Sequence, residues 1–393
     1  MKNAPIPLSS QEPLRIAVVG VGAMGQAHCR TIQEQVKELR LSAVVDAHAE
    51  TAHEVGAKHG VPGFGSVADM LAAGVADAAL VATPHPLHLD AVEACLNAGL
   101  HVLCEKPLAE TVSSGDRMLA AAHAANRVFA VMFQRRFETV FEAALKFVRE
   151  GGLGEIRRTL LVLPDFRTQR YYEANPWRAT WVGEGGGVLI NQAPHMLDLF
   201  VLLGGMPQTV HGYTTTSLHE IDVEDRADAR LTYANGAVGY LYASTNEPDH
   251  HELLEIVGTN GSLTYRNKQL ECLHFKTNLV SLSANSEEVW GKPEACNVTP
   301  ALETISEKHL QGILLGNFAR HILSGEPLRC DAASGMAAVE LANAITLSSH
   351  LNAPVTLPVS RPAYDELLAK LRSNTHTRKR AVTTKRVTDP NLV

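Results

Sequence analysis

A short apolar run, Leu14-Arg-Ile-Ala-Val-Val19, ends at once in Gly20-Val-Gly22-Ala-Met-Gly25, and that junction constrains the fold more than any other stretch of the chain. Ile16 to Val19 has the unbroken hydrophobicity of a strand buried on both faces in a parallel sheet. The G-x-G-x-x-G spacing supplies a tight turn at Gly20, a close backbone approach at Gly22 and intimate helix–strand packing at Gly25. A helix opening at Ala23 and Met24 points its unpaired N–H groups and positive dipole end at whatever lies above the turn, which makes the junction a phosphate cradle.

The next segments extend the pattern. Leu41 to Val45 is a second strand ending in Asp46, about 20 residues past the last glycine, where an acid meets the hydroxyls of an adenosine ribose. A carboxylate there repels a 2′-phosphate, so the preferred dinucleotide is NAD and not NADP. Helical patterns over Ala49 to His59 and Val67 to Ala73 precede a third strand, Ala78 to Ala82, which breaks into Thr83-Pro84-His85-Pro86. A helix from about Leu87 to Ala98, a strand from Leu100 to Cys104, a helix around Val112 to Ala125 and a strand from Val128 to Met132 continue the alternation. Strands alternating with helices give a doubly wound parallel sheet, and loops at the carboxyl ends of its strands line the ligand crevice. Thr83, Pro84 and His88 after the third strand, with Glu105 and Lys106 after the fourth, are therefore expected beside the cofactor.

From Arg135 the pattern changes. Phe141 to Arg149 is an amphipathic helix, Ile156 to Leu163 a strand, and Asp165 to Trp181 a polar, aromatic loop. Gly185-Gly-Gly187 leads into a helix over Asn191 to Leu203. Six strands come next, from Val210 to Phe275, and the turns at Asn235-Gly236 and Asn260-Gly261 mark hairpins. The result is an open, mainly antiparallel sheet flanked by helices. Its uncovered face calls for a partner subunit, so a homodimer or homotetramer is expected. Late helices over Lys308 to Leu323 and Ala333 to Leu351 should pack back on the body. The fold class is thus α/β plus α+β: a dinucleotide-binding domain at 1–134, a substrate-binding and oligomerisation domain at 135–372, and a basic, solvated tail at 373–393.

At 393 residues, 45% of them hydrophobic and 20% charged, the chain has the composition of an ordinary two-domain globular protein. A net charge of −7 argues against nucleic acid or a membrane surface as partner. The first residues lack the apolar core of a signal peptide and no run approaches bilayer length, so the cytoplasm is the expected compartment. Six widely spaced cysteines without a C-x-x-C pair signal neither a disulfide framework nor a zinc site. His85 and His88 have no third ligand in their surroundings, and no metal is expected.

Four segments together resemble the glucose-fructose oxidoreductase/inositol dehydrogenase (Gfo/Idh/MocA) family, over about Leu14 to Leu357. They are Gly20 to Gly25, Glu105-Lys106-Pro107, Gly154-Glu-Ile, and Gly185-Gly-Gly-Val-Leu-Ile-Asn191-Gln-Ala-Pro-His195-Met-Leu-Asp198. The resemblance implies a nicotinamide-dependent enzyme acting on a secondary hydroxyl or ketone of a sugar, inositol, glycoside or related cyclic polyol. Lys106 matches the family's active-site lysine and His195 its acid/base histidine, whereas Asn191 falls where many members carry Asp. Alternatives on the same fold are a dihydrodiol dehydrogenase or carbonyl reductase, an NAD-using glycosidase, and a non-catalytic NAD-sensing regulator.

Oxidation of a carbinol requires a base within hydrogen-bond reach of the hydroxyl, a task suited to His195. Lys106 would stabilise the developing alkoxide and depress the basicity of His195. Asn191, four residues before His195 on the same helical face, would orient the substrate oxygen. Asp198 either supports His195 or makes a structural hydrogen bond, and Arg136 either reaches substrate or forms a hinge ion pair. Tyr172, Trp177 and Arg178 in the aromatic loop are the expected substrate contacts, rings for sugar C–H faces and a guanidinium for hydroxyl or carboxylate groups.

Overall fold

The computed structural model describes residues 12–175, 177–248, 252–302 and 306–374. The first half runs β1 (Leu14–Val19), α1 (Ala23–Gln35), β2 (Leu39–Val45), α2 (Ala49–His59), β3 (Gly63–Phe64), α3 (Val67–Ala73), β4 (Ala78–Val81), α4 (His88–Asn97), β5 (His101–Cys104), α5 (Val112–Ala125) and β6 (Phe129–Val131). These strands form a parallel sheet in the order β3-β2-β1-β4-β5-β6. Ile16, Ala17, Val18, Ala78, Ala79, Leu80 and Val81 are fully buried, as a sheet covered by helices on both faces requires. Chain order reverses between β1 and β4, and such a switch point opens a crevice at the carboxyl ends of the strands. The two-residue strand β3, which the Val61-Pro-Gly turn conceals, adds to the edge beside β2.

The second half comprises α6 (Thr139–Arg149), β7 (Ile156–Pro164), α7 (Gln169–Glu173), α8 (Val188–Asn191), α9 (Pro194–Gly204), β8 (Thr209–Thr215), β9 (Arg226–Thr232), β10 (Val238–Ser244), β11 (Leu253–Gly258), β12 (Gly261–Arg266), β13 (Gln269–Phe275), α10 (Leu279–Asn285), β14 (Ala295–Asn297), α11 (Glu307–Ser324), α12 (Ala332–Leu351), β15 (Val355–Thr356) and α13 (Arg361–Ser373). Nine strands in the order β14-β13-β12-β11-β7-β10-β9-β8-β15 make one sheet, antiparallel except where β7 and β10 run side by side. The expected hairpins join β9 to β10 and β11 to β12. Along β9, Ala227, Ala229 and Leu231 turn into the core while Asp228 and Arg230 face outward, and Tyr213 and Tyr240 stand on neighbouring strands about half exposed. One face is therefore packed under α9 and α12, and the other carries partly exposed rings and charges.

The late helices do pack back on the first sheet. Val131 donates its N–H to the Cys330 carbonyl at 2.9 Å, and Asn343 on α12 bridges the Val112 N–H and the Glu110 carbonyl at 3.0 and 2.9 Å. Arg136 sits at the junction of the two sheets, donating to both Asp198 oxygens at 2.8 and 2.5 Å and to the Arg329 carbonyl and Ser334 hydroxyl. Both partners are almost fully buried, so Arg136 is a hinge ion pair and Asp198 serves it and not His195.

Two expectations change. The single helix over Asn191 to Leu203 is two pieces, α8 and α9, because Pro194 lacks an N–H and opens a new helix at its first position. Helix α13, capped by Ser360, extends the ordered body through residues read only as the end of the domain. The basic stretch Arg378 to Arg386 lies outside the described residues.

Candidate active site

The site grows from the glycine turn. Gly20 holds φ at +87°, and a Cβ there would lie 2.7 Å from the Ala82 carbonyl oxygen of the adjacent strand end. A Cβ on Gly25 would lie 1.9 Å from the Gly20 carbonyl, so only glycine lets α1 approach β1 this closely. A Cβ on Gly22 meets nothing within 4 Å. Gly22 is the N-cap of α1 and no side chain caps that terminus, which leaves the first N–H groups of the helix for an anion.

Above the turn opens a cavity of about 1940 Å³. Gly20, Gly22, Ala23, Met24, Asp46, Thr83 and Pro84 line one wall. Glu105 and Lys106 lie on its floor, and Trp177, Arg178, Asn191 and His195 come from the second half. Gly25 packs behind the wall. Asp46 accepts from Val21 N at 3.1 Å and from His48 N at 3.0 Å, which fixes its carboxylate at the end of β2. A dinucleotide fits this arrangement: open space over Gly22, an uncapped helix terminus for the pyrophosphate and a fixed acid where a ribose would lie.

Beneath Lys106, Glu105 is clamped between His28 Nε2 at 2.6 Å and Lys106 N at 3.0 Å. Burial alone would raise the Glu105 pKa, but the His28 hydrogen bond, with the charges of His28 and Lys106, outweighs it and holds the carboxyl below its usual range. Lys106 Nζ reaches across the crevice to donate to the main-chain carbonyl of Asn191 at 2.8 Å. Burial lowers the Lys106 pKa, opposed chiefly by the charge of Glu105. His195 also faces the cavity, its ring edge-on to Phe133. Burial, and after it the charges of Lys106 and Arg135, pushes the His195 pKa well below the ordinary histidine value, so the ring is neutral at pH 7 and its nitrogen is available as a base. Among the described residues its Nδ1 has no hydrogen-bond partner.

Asn191 is held at both ends. Its main-chain oxygen takes Lys106, and its side-chain Nδ2 donates to Glu184 Oε1. Glu184 is buried, accepts a second hydrogen bond from Ala179 N at 2.6 Å, and has its pKa raised to about 7 by burial. Glu224 braces the same glycine run, accepting from Gly187 N at 2.8 Å and Leu189 N at 3.1 Å.

The aromatic loop is displaced by one residue from expectation. Tyr172 turns inward and donates to Thr245 Oγ1 at 2.8 Å, while Tyr171 lines the cavity, accepts from Gln192 Nε2 at 3.2 Å and lies 4.0 Å beneath the Arg178 guanidinium. Helix α7 is only five residues long, and a short helix carries too little periodicity to tell adjacent tyrosines apart. Trp177 and Arg178 do reach the cavity, and Arg178 Nε and Nη1 are buried without hydrogen-bond partners among the described residues. His88 stands behind the wall, its ring nitrogens on the Pro107 and Thr83 carbonyls at 3.0 and 2.9 Å, so it braces the two loops instead of lining the cofactor space. His85 takes the lining position and contacts the Glu184 carbonyl at 3.0 Å. Among the described residues no group of three potential ligands is placed to hold a metal.

Sequence reasoning passed over His28, Tyr171 and Glu184. His28 follows Gly25 by one helical turn on the face that packs under the sheet. Glu184 stands immediately before the triple glycine, and an acid beside so flexible a run was the available signal.

An uncapped glycine turn at a switch point, with an amine and a neutral imidazole facing the same cavity, belongs to dinucleotide-dependent oxidoreductases. Residues 14–133 match the NAD-binding Rossmann-fold model of the Gfo/Idh/MocA oxidoreductase family and residues 141–264 its C-terminal domain model, and the chain belongs to that family. It is an NAD-dependent oxidoreductase. Levoglucosan dehydrogenase of Pseudarthrobacter phenanthrenivorans is 27% identical over 64% of this chain and 73% of its own. Inositol 2-dehydrogenase 2 of Saccharopolyspora erythraea is 28% identical over 91% of this chain and 99% of its own. Among solved structures, the WlbA dehydrogenase from Bordetella pertussis in complex with NADH and UDP-GlcNAcA superposes with a TM-score of 0.75 at 26% identity, covering 88% of this chain and all of that one. No helix among the described residues is long and apolar enough to cross a membrane.

Proposed function

We propose that the chain moves a hydride between NAD and a secondary hydroxyl or ketone of a sugar, inositol, glycoside or related cyclic polyol. The carrying observation is that Lys106, from the end of β5, and His195, from the start of α9, face one cavity whose other end is the glycine turn. Bound NAD supplies the hydride acceptor. Neutral His195 takes the hydroxyl proton, Lys106 supports the charge developing on the oxygen, and Asn191 orients that oxygen. Trp177 and Tyr171 offer ring faces to C–H surfaces, and the Arg178 guanidinium, which also lines the cavity, offers donors to hydroxyl or carboxylate oxygens. Substrate identities of the relatives, levoglucosan and inositol dehydrogenases among them, support the polyol class.

The division at residues 134/135 assigns cofactor binding to the first sheet and substrate binding with self-association to the second. The half-exposed Tyr213 and Tyr240 on the uncovered sheet face support a homodimer or homotetramer through that face. Free cysteines, five of the six buried, suit the reducing cytoplasm. A panel of sugars, inositols and cyclic diols, scored for NADH formation with NAD and NADP in parallel, tests the reading. Turnover of a polyol with NAD is the expected result, and turnover confined to apolar cyclic diols would replace polyols as the substrate class.

A further inference from the structure

Where a carboxylate beside the lysine and histidine is absent from position 191, one is present seven residues earlier. Glu184 is 1% exposed, and its charge reaches Lys106 without a hydrogen bond to Lys106 or His195 among the described residues. One of its oxygens accepts the Ala179 N–H and the other the side-chain N–H of Asn191. Asn191 lines the cavity, and its Oδ1 takes no hydrogen bond from a described residue. We propose that Glu184 is a positioning residue: by accepting the Asn191 amide N–H, its carboxylate turns that amide so that Oδ1 is presented to the cavity as the acceptor for a substrate hydroxyl neighbouring the one His195 deprotonates.

An ionised carboxylate only accepts, so the neighbouring amide must show it nitrogen and keep oxygen for the other side. A protonated carboxyl can donate to Oδ1 instead, and the amide is then free to present its NH₂ group to the substrate. The groups facing Glu184 are the Ala179 N–H, the Arg178 guanidinium, the Asn191 amide and, more distantly, the Lys106 ammonium, the Tyr172 hydroxyl and the Glu224 carboxylate, while His85 meets its main-chain oxygen. Arg178 favours the ionised form, and burial with Glu224 favours the protonated one. The balance falls at about 7, so the orienting form gains ground through neutral pH. Lys106 holds the main chain of Asn191 regardless, so only the direction of its amide responds.

The proposal rests on a hydroxyl-bearing substrate in the cavity, but its first test needs none. With asparagine-selective ¹⁵N labelling, the Asn191 side-chain amide signal, assigned by its loss in Asn191→Ala, is followed from about pH 5.5 to 8.5. The expected signal moves with a midpoint near 7 and becomes independent of pH in Glu184→Gln. A wild-type signal that is flat over this range, or that titrates unchanged in the variant, overturns the assignment. The wild-type titration stands by itself if the variant does not fold. The second arm is kcat/KM for the best polyol of the panel. It should fall about tenfold per pH unit below that midpoint in the wild type, and the limb should vanish in Glu184→Gln. A limb retained in a variant of wild-type melting temperature overturns the proposal. A titrating amide with no polyol oxidised leaves the positioning role intact and defeats the substrate reading instead.

Discussion

Two glycines three residues apart in one turn should respond to the same substitution in opposite ways. In Gly25→Ala the new methyl would lie 1.9 Å from the Gly20 carbonyl oxygen, which belongs to the turn that α1 must meet and cannot retreat. Relief requires α1 to move off β1, at a cost of about 3 kcal/mol, near the upper end for overpacking a close contact. In Gly22→Ala the methyl meets no atom within 4 Å, and the N-cap backbone at φ −65° and ψ −160° suits alanine. Its structural cost is limited to the weaker capping preference, less than about 1 kcal/mol. The same methyl occupies the space where a pyrophosphate would meet main-chain N–H groups, so NADH affinity should fall at least about tenfold, or about 1.4 kcal/mol. Denaturant unfolding and NADH fluorescence titration, run on both variants, separate the effects. Gly22→Ala with wild-type NADH affinity would refute the cradle, and Gly25→Ala with wild-type stability would refute the packing argument.

Three further outcomes come from the same geometry. Asp46→Ser removes a carboxylate fixed by the Val21 and His48 N–H groups. The ratio of kcat/KM for NAD over NADP should drop at least about tenfold, one decade being about 1.4 kcal/mol, and an unchanged ratio would mean Asp46 does not read the ribose. Asp198→Ala strands the buried Arg136 guanidinium and should lower unfolding free energy by about 3–5 kcal/mol in urea; a loss under about 1 kcal/mol would show that the Arg329 and Ser334 contacts suffice. Glu184 has its folded pKa raised from 4.5 to about 7, so the folded state holds that proton more tightly and wild-type stability is penalised as pH rises through this window. Glu184→Gln lacks the penalty, and its stability relative to wild type should climb by up to roughly 3 kcal/mol between pH 5 and 8, whereas a constant difference would contradict the raised value.

Most of the first sheet was readable because its longer strands end in apolar runs closed by glycine, proline or acid, and each local signal agreed with the next. The ends of α2, α3 and α5 coincide with their sequence patterns for that reason. What escaped was short or decided by tertiary contact. Strands β3 and β15 are two residues each, and their pairing comes from the neighbouring edge and not from their own residues. Tyr171 and Tyr172 differ only in which way a single turn of helix faces. His88 follows a strand carboxyl end, as a ligand contact would, but both its nitrogens are taken up by loop carbonyls. Lys106 and His195 were legible as motifs, whereas their facing one cavity, with Lys106 on the Asn191 carbonyl, depends on how the two sheets are joined by Arg136 and Asp198.

In the proposed mechanism an amine from one sheet and an imidazole from the other act on a substrate beside NAD. Lys106→Ala isolates it when NADH affinity and polyol turnover are measured on the same preparation. Affinity should stay within about threefold of wild type while kcat falls by about 10²–10³, the loss typical of removing one preorganised charge-stabilising donor. Undiminished turnover at full cofactor occupancy would contradict the mechanism.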